Sequence, residues 1–192
     1  LYEKTIIILT TDHGLAYPFH KCTLTDNGTG VLFAMRVPGS KQKNDSCDDL
    51  ISHIDVFPTL CDLLKIAPPV YLEGQSFGGL FTGQPFKKNE AIFSEINFHT
   101  SYEPVRAVRT KRFKYVRYFD ETYLGINYSN IDNSDVKEFY RENGLELQTK
   151  DLEALYDLYY DPAEKNNVIG KKVYKETTEM LRQKLQNCQN LQ

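Results

Sequence analysis

The sequence predicts an α/β protein in two differently textured regions, and three observations carry that prediction. Residues 5–10 are rich in β-branched side chains and continuously apolar from Ile6 to Leu9, the pattern of a strand covered on both faces. Residues 49–66 place Ile51, Ile54, Val56, Phe57, Leu60, Leu63 and Leu64 at helical spacing. From Glu90 onward the texture changes to short aromatic and β-branched runs split by turn residues, as in an antiparallel sheet. Residues 1–84 are therefore expected to form the edge of a larger mixed α/β sheet. Residues 85–192 are expected to form a small antiparallel-sheet subdomain with a C-terminal helix.

Taken in order, the first strand ends in Asp12, His13 and Gly14, and a loop with Pro18, Asn27, Gly28 and Gly30 follows. A second strand over 31–37 is stopped by Pro38 and Gly39, and a polar linker occupies 41–49. In the helix over 49–66, Pro58 is tolerable in the first turn with Asp55 near the N-terminus, and Pro68 and Pro69 end it. Four glycines in LEGQSFGGLFTG, 72–83, predict a loop with a short helical turn. The runs AIFSEINF, VRAVRTKRFKYVRYF and ALYDLYYDP predict the strands of the second region, with a polar insertion or helical excursion over 120–151. The last segment, 171–185, sets Val173, Met180, Leu181 and Leu185 on a charged background, a helix packing one face onto the sheet.

Composition limits the partners. The 192 residues, 41% hydrophobic, hold material for one substantial core or two modest ones. A net charge of -3 provides no basic face for nucleic acid. No apolar run approaches the roughly 18 to 20 residues of a membrane span, and no signal-peptide pattern opens the chain. The compartment stays open, and a start at Leu1 with a strand close behind it leads us to expect a piece of a longer protein. Cys22, Cys47, Cys61 and Cys188 have no zinc-type spacing and read as unpaired thiols. Asn27, Asn44 and Asn127 open glycosylation-type triplets, a short pattern common by chance.

The chemistry-bearing residues cluster behind the first strand. Asp12 and His13 offer a carboxylate oxygen and an imidazole nitrogen from adjacent positions, a set that suits a divalent cation. Lys21 across the loop suits an anion beside it. The same residues also fit a plain turn, with Asp12 capping local amides and His13 bonded to its own loop. Glu95, His99 and Arg106 lie near a predicted strand and its loop, where a sugar-facing site and a solvated sheet edge are both open. Arg109, Lys111, Arg112, Lys114 and Arg117 alternate with apolar residues and read mostly as the wet face of a strand; Tyr156, Tyr159 and Tyr160 read as core or interface aromatics.

The order of motifs adds to this. T-x-D-H-G at 10–14, a lysine in the same loop, T-L-x-D-x-G at 23–28 and a strand closing on V-P-G resemble the sulfatase family of the alkaline phosphatase superfamily. HIDVFPTLCDLLKI, LEGQSFGGLFTG and ALYDLYYDPAEKNNV match later segments of the same family in order. The short gap between His13 and Lys21 is most similar to the heparan N-sulfatase branch. The resemblance implies that Asp12 and His13 are metal ligands, that Lys21, with His13, serves catalysis, and that Lys21 contacts sulfate with His20 assisting. It also implies that Glu95, His99 and Arg106 face the sugar. The implied metal is calcium, with manganese or zinc open because His13 stands where many members have Asn. The implied substrate is a sulfated sugar or other sulfate ester.

The family nucleophile is a formylglycine made within C/S-x-P-x-R, and no cysteine or serine of this chain stands in that motif. The resemblance is therefore to the C-terminal portion, with the formylglycine and the paired metal aspartates expected in an N-terminal part, itself the chain's partner. Such a piece is expected to be inactive alone and, having lost sheet neighbours, to expose apolar surface and self-associate as a homo-oligomer. A phosphodiesterase or phosphonate hydrolase of the same superfamily and a non-catalytic module binding sulfated glycans are the alternatives.

Overall fold

The structure is a computed structural model and describes residues 1–41 and 44–189. Its strands are β1 (Ile7–Thr10), β2 (Phe33–Arg36), β3 (Ile92–Phe98), β4 (Tyr102–Arg109), β5 (Phe113–Tyr118) and β6 (Glu153–Asp157). Its helices are α1 (Asp26–Thr29), α2 (Val56–Leu64), α3 (Gly79–Thr82), α4 (Asp135–Glu142) and α5 (Lys175–Gln189). The fold class is the expected mixed α/β. Contacts divide the chain into one unit of Leu1–Thr10 with Leu32–Ile92 and another of Thr11–Val31 with Phe93–Gln192. The loop that was expected to belong with 1–84 thus groups with the later sheet. The linker expected over 41–49 lies partly outside the described residues.

In the first unit β1 pairs antiparallel with β2, from Ile7 opposite Arg36 to Thr10 opposite Phe33. The expectation of a strand covered on both faces is not met: the sheet has two strands, and Leu9 is 59% exposed. Its β-branched residues favour extended backbone whether or not a face is covered, so the strand forms without the burial its composition suggests. At the start of α2, Ser52 and Asp55 form a capping box, with the Ser52 amide donating to Asp55 Oδ2 at 2.9 Å. The buried Asp55 also accepts from the Gln75 amide and Asn89 Nδ2, each at 2.8 Å, tying α2 to the glycine-rich stretch. Pro58 falls in the first turn, as expected, and the helix closes on Lys65 in the left-handed region at φ 56°, before Pro68 and Pro69. Phe33 meets Phe77 edge to face at 6.1 Å, and Phe77 lies tilted against Phe81 at 6.2 Å.

In the second unit β3, β4, β5 and β6 form one sheet in that order, with β4–β5 and β5–β6 antiparallel. Its core joins Val105 and Ala107 of β4, Val116 and Tyr118 of β5, and Leu24 from the 11–31 segment. Leu24 thereby anchors the loop to the sheet. The polar stretch 120–151 contains α4, whose N-cap Ser134 accepts from the Lys137 amide at 3.2 Å. Helix α5 buries Thr178, Leu181 and Leu185 and packs against β4 and β5. Val173 and Met180, expected on that face, are 80% and 52% exposed: Val173 precedes the helix in a 3-10 turn, and Met180 lies off the stripe 178/181/185.

The basic residues expected on a wet face are largely ion-paired. Lys114 is 1% exposed and sits between Asp26 and Glu164, Arg109 pairs with Asp26, Arg112 with Asp157 and Arg117 with Glu153. Tyr159 and Tyr160 are exposed, edge to face at 5.0 Å, rather than core residues. The described residues contain no disulfide, and no described helix is long and apolar enough to cross a membrane.

Candidate functional site

The 11–31 segment carries Asp12, His13, His20 and Lys21, and close backbone packing shapes it. The Gly14 amide donates to the Gly28 carbonyl at 3.0 Å, the Lys21 amide to the Leu15 carbonyl at 2.9 Å, and the Thr23 hydroxyl to the His20 carbonyl at 2.7 Å. Phe19 and Cys22 hold left-handed backbone at φ 64° and 60°. A Cβ on Gly14 would lie 1.8 Å from the Asn27 carbonyl oxygen, a backbone atom that has no rotamer to retreat into. Gly14→Ala is therefore expected to destabilise the protein by at least about 2 kcal/mol in chemical denaturation. A loss under about 0.5 kcal/mol would mean that the loop reshapes freely.

Asp12 and His13 form a tight pair. The His13 amide donates to Asp12 Oδ1 at 3.1 Å, His13 Nδ1 lies 2.6 Å from the Gly14 carbonyl, and His13 Nε2 lies 3.4 Å from Asp12 Oδ2. The turn expected as the plain alternative is thus formed. A carbonyl only accepts, so Nδ1 carries the hydrogen, and in the neutral ring Nε2 turns a lone pair toward a carboxylate oxygen. Two acceptors facing one another fit a shared cation, and a ring fixed by a carbonyl at its other nitrogen is the usual support of a histidine ligand. The Asp12 side chain is 86% exposed, open to further ligands. Among the described residues no group of three or more His, Cys, Asp and Glu side chains is placed to hold an ion. The chain thus fits two positions of a coordination sphere that calcium fills with about 6 to 8 ligands.

Lys21 reaches across to a residue that no motif marks. Its Nζ lies 3.0 Å from Asp132 Oδ1 and 3.2 Å from Oδ2. The hydrogen bond from Lys21, with the Lys21 charge, holds the Asp132 carboxyl below its ordinary range, and the same bond raises the Lys21 ammonium. Five expected or newly found groups, Asp12, His13, Lys21, His99 and Asp132, therefore share one electrostatic neighbourhood.

The other expected residues are placed differently. His20 Nδ1 is 2.9 Å from the Pro18 carbonyl, so its ring supports the loop from inside. Arg106 on β4 donates to Glu95 on β3 at 3.1 Å and lies over the Phe119 ring, so these two face one another across the sheet. Lys21 and Cys22 also line a cleft of about 380 Å3 with Glu103, Asn127, Tyr118 and Tyr156. Lys150, Asn127 and Asn130 all donate to the buried Glu103 there.

A family model described as N-sulphoglucosamine sulphohydrolase, C-terminal, matches residues 12–154. The chain belongs to the N-sulphoglucosamine sulphohydrolase C-terminal family. This agrees with the sulfatase motifs, and the matched span takes in every candidate from Asp12 to Asp132. The chain is similar to an ulvan-active sulfatase of Formosa agariphila, 28% identical over 94% of this chain and 36% of that protein. It is similar to a solved 2-O GAG sulfatase, with a TM-score of 0.70 and 27% identity over 95% of this chain and 35% of that one. The phosphonate monoester hydrolase of Agrobacterium radiobacter shares the fold at a TM-score of 0.70 and 22% identity, over 99% of this chain and 36% of that one. The family member described here thus spans about a third of the length of these proteins.

Proposed function

We propose that the chain is the C-terminal part of a sulfatase that hydrolyses sulfate esters or sulfamates on a sugar. Asp12 and His13 contribute to a divalent cation, calcium first, and Lys21 to the sulfate. The observation that carries this reading is the single loop that presents a facing pair of acceptors and a fixed ammonium in one neighbourhood. A cation bound at Asp12 and His13 would supply Lewis-acid charge next to the sulfuryl oxygens. Lys21 orients the anion and stabilises charge developing on those oxygens, and the buried stem of its side chain limits its movement. The cleft that Lys21 lines falls within the roughly 300–1,000 Å3 of small-molecule sites, room for a sugar ring. The names of the relatives, an ulvan-active and a GAG sulfatase, favour a sulfated glycan.

The nucleophile, a formylglycine by family resemblance, belongs to a partner segment outside this sequence, so these 192 residues alone are expected to turn over nothing. Exposed Ile7, Leu9, Leu32, Phe57 and Leu64 in the first unit suit a surface that the partner segment, or a second copy, covers. The fold shared with a phosphonate monoester hydrolase favours phosphoryl chemistry as the second reading. Assaying the parent protein with calcium on an aryl sulfate and an aryl phosphonate monoester separates the two. Sulfate cleavage is expected to lead by at least about tenfold in kcat/KM, and the reverse order would replace the first reading by the second. Absence of either activity, with tight metal-independent binding of a sulfated oligosaccharide, would leave the glycan-binding module.

A further inference from the structure

We propose that Asp132 is a specificity-determining residue of the Lys21 site, selecting a sulfate that carries a hydroxyl or amino donor beside it over a bare inorganic anion. The proposal rests on the reading of Lys21 as the sulfate contact. Both Asp132 oxygens lie within 3.2 Å of Lys21 Nζ, so the ammonium presented to an incoming anion is already shielded by a carboxylate. The two side chains differ in access: that of Lys21 is 16% exposed and that of Asp132 is 56% exposed. The carboxylate is therefore the more open member of the pair.

Inorganic sulfate has only acceptors, and beside Asp132 it sets like charges and lone pairs against one another with no hydrogen between them. A sugar sulfate brings neighbouring hydroxyl or amino hydrogens. The exposed lone pairs of Asp132 can accept them while the sulfate takes the remaining ammonium hydrogen. His99 lies within electrostatic reach of the same carboxylate. Because the charges of Lys21 and Asp132 nearly cancel, hydrogen-bond donors rather than net charge decide which ligand stays.

The test is titration of the complete protein at low ionic strength with sodium sulfate and with glucose 6-sulfate, followed by calorimetry and by the amine resonance of Lys21. Asp132→Asn keeps the shape and removes the charge. It is expected to tighten inorganic sulfate about 5- to 20-fold while leaving glucose 6-sulfate within about threefold, so that the preference for the sugar falls at least about fivefold. Asp132→Ser should move the preference the same way, and both variants should fold, the side chain being exposed. An unchanged preference in both, with Lys21→Ala abolishing binding of both ligands, overturns the role of Asp132 alone. Sulfate binding that survives Lys21→Ala, or is absent from the starting protein, overturns the reading of Lys21 beneath it.

Discussion

Lys21→Ala is expected to lower kcat/KM of the parent protein on a sulfated sugar by about 10²- to 10³-fold, the usual loss when one preorganised donor to a developing anion is removed. The ammonium is preorganised in three ways: its backbone amide is bonded to Leu15, its stem is mostly buried, and Asp132 fixes its end. The Asp132 hydrogen bond also raises its pKa, so the positive charge persists well above neutral pH. Truncation has a second consequence, because it leaves the Asp132 carboxylate facing the incoming sulfate without its counter-charge. Lys21→Ala with Asp132→Asn should therefore be less impaired than Lys21→Ala alone, by about 3- to 10-fold, a coupling that a double-mutant cycle reads directly. Steady-state kinetics of the four proteins decides the matter. A single-variant loss under about threefold would remove Lys21 from the reaction.

How much of this was legible in the sequence follows from the range of each interaction. The strands of the second unit, the first-turn position of Pro58 and the turn at Asp12-His13-Gly14 all arise from neighbours in sequence, where period and turn chemistry act, and they are found where expected. Burial depends on what lies opposite. That is why β1, apolar along its length, is exposed, and why Lys114, charged and spaced like a wet-face residue, is buried. The candidate site divides the same way. Asp12, His13 and Lys21 share one loop and one motif, whereas Asp132 arrives from 111 residues away in a polar stretch with no pattern of its own. An acid flanked by Asn133 and Ser134 reads in sequence as helix-capping material, which Ser134 indeed is. Glu95 and Arg106 share a face of neighbouring strands, so opposite charge at that register joins them to each other, a pairing that requires knowing which strands are adjacent.

The same long-range ordering carries the second large effect, on stability. Lys114→Ala is expected to destabilise the protein by about 3–5 kcal/mol, the range for removing one partner of a buried ion pair. Lys114 on β5 lies beside Asp26 of α1 and 3.3 Å from Glu164 Oε1, and the Glu164 side chain is 1% exposed. Arg109 Nε and Nη2 each hold Asp26 at 3.0 Å, and the Asp26 amide donates to Glu164. This network fastens the end of the 11–31 segment to the sheet, so its loss should loosen the loop that holds Asp12, His13 and Lys21 as well as lower the midpoint. Lys114→Met, which keeps most of the volume, separates charge from cavity and should remain clearly destabilised if charge dominates.

The dependence on pH distinguishes the two acids. Burial raises the Glu164 carboxyl above its ordinary 4.5 against the pull of Lys114, so its penalty is relieved as pH falls through the folded value. Burial also works to raise Asp26, but the Arg109 hydrogen bonds and Lys114 hold it below its ordinary 3.8, so its contribution persists until the pH falls below that value. Between neutral pH and about 4.5 Glu164 therefore sets the sign, and the deficit of Lys114→Ala, measured by denaturant titration, should shrink as the pH is lowered across that window. A deficit that stays constant or grows would mean that Glu164 is not the group Lys114 neutralises.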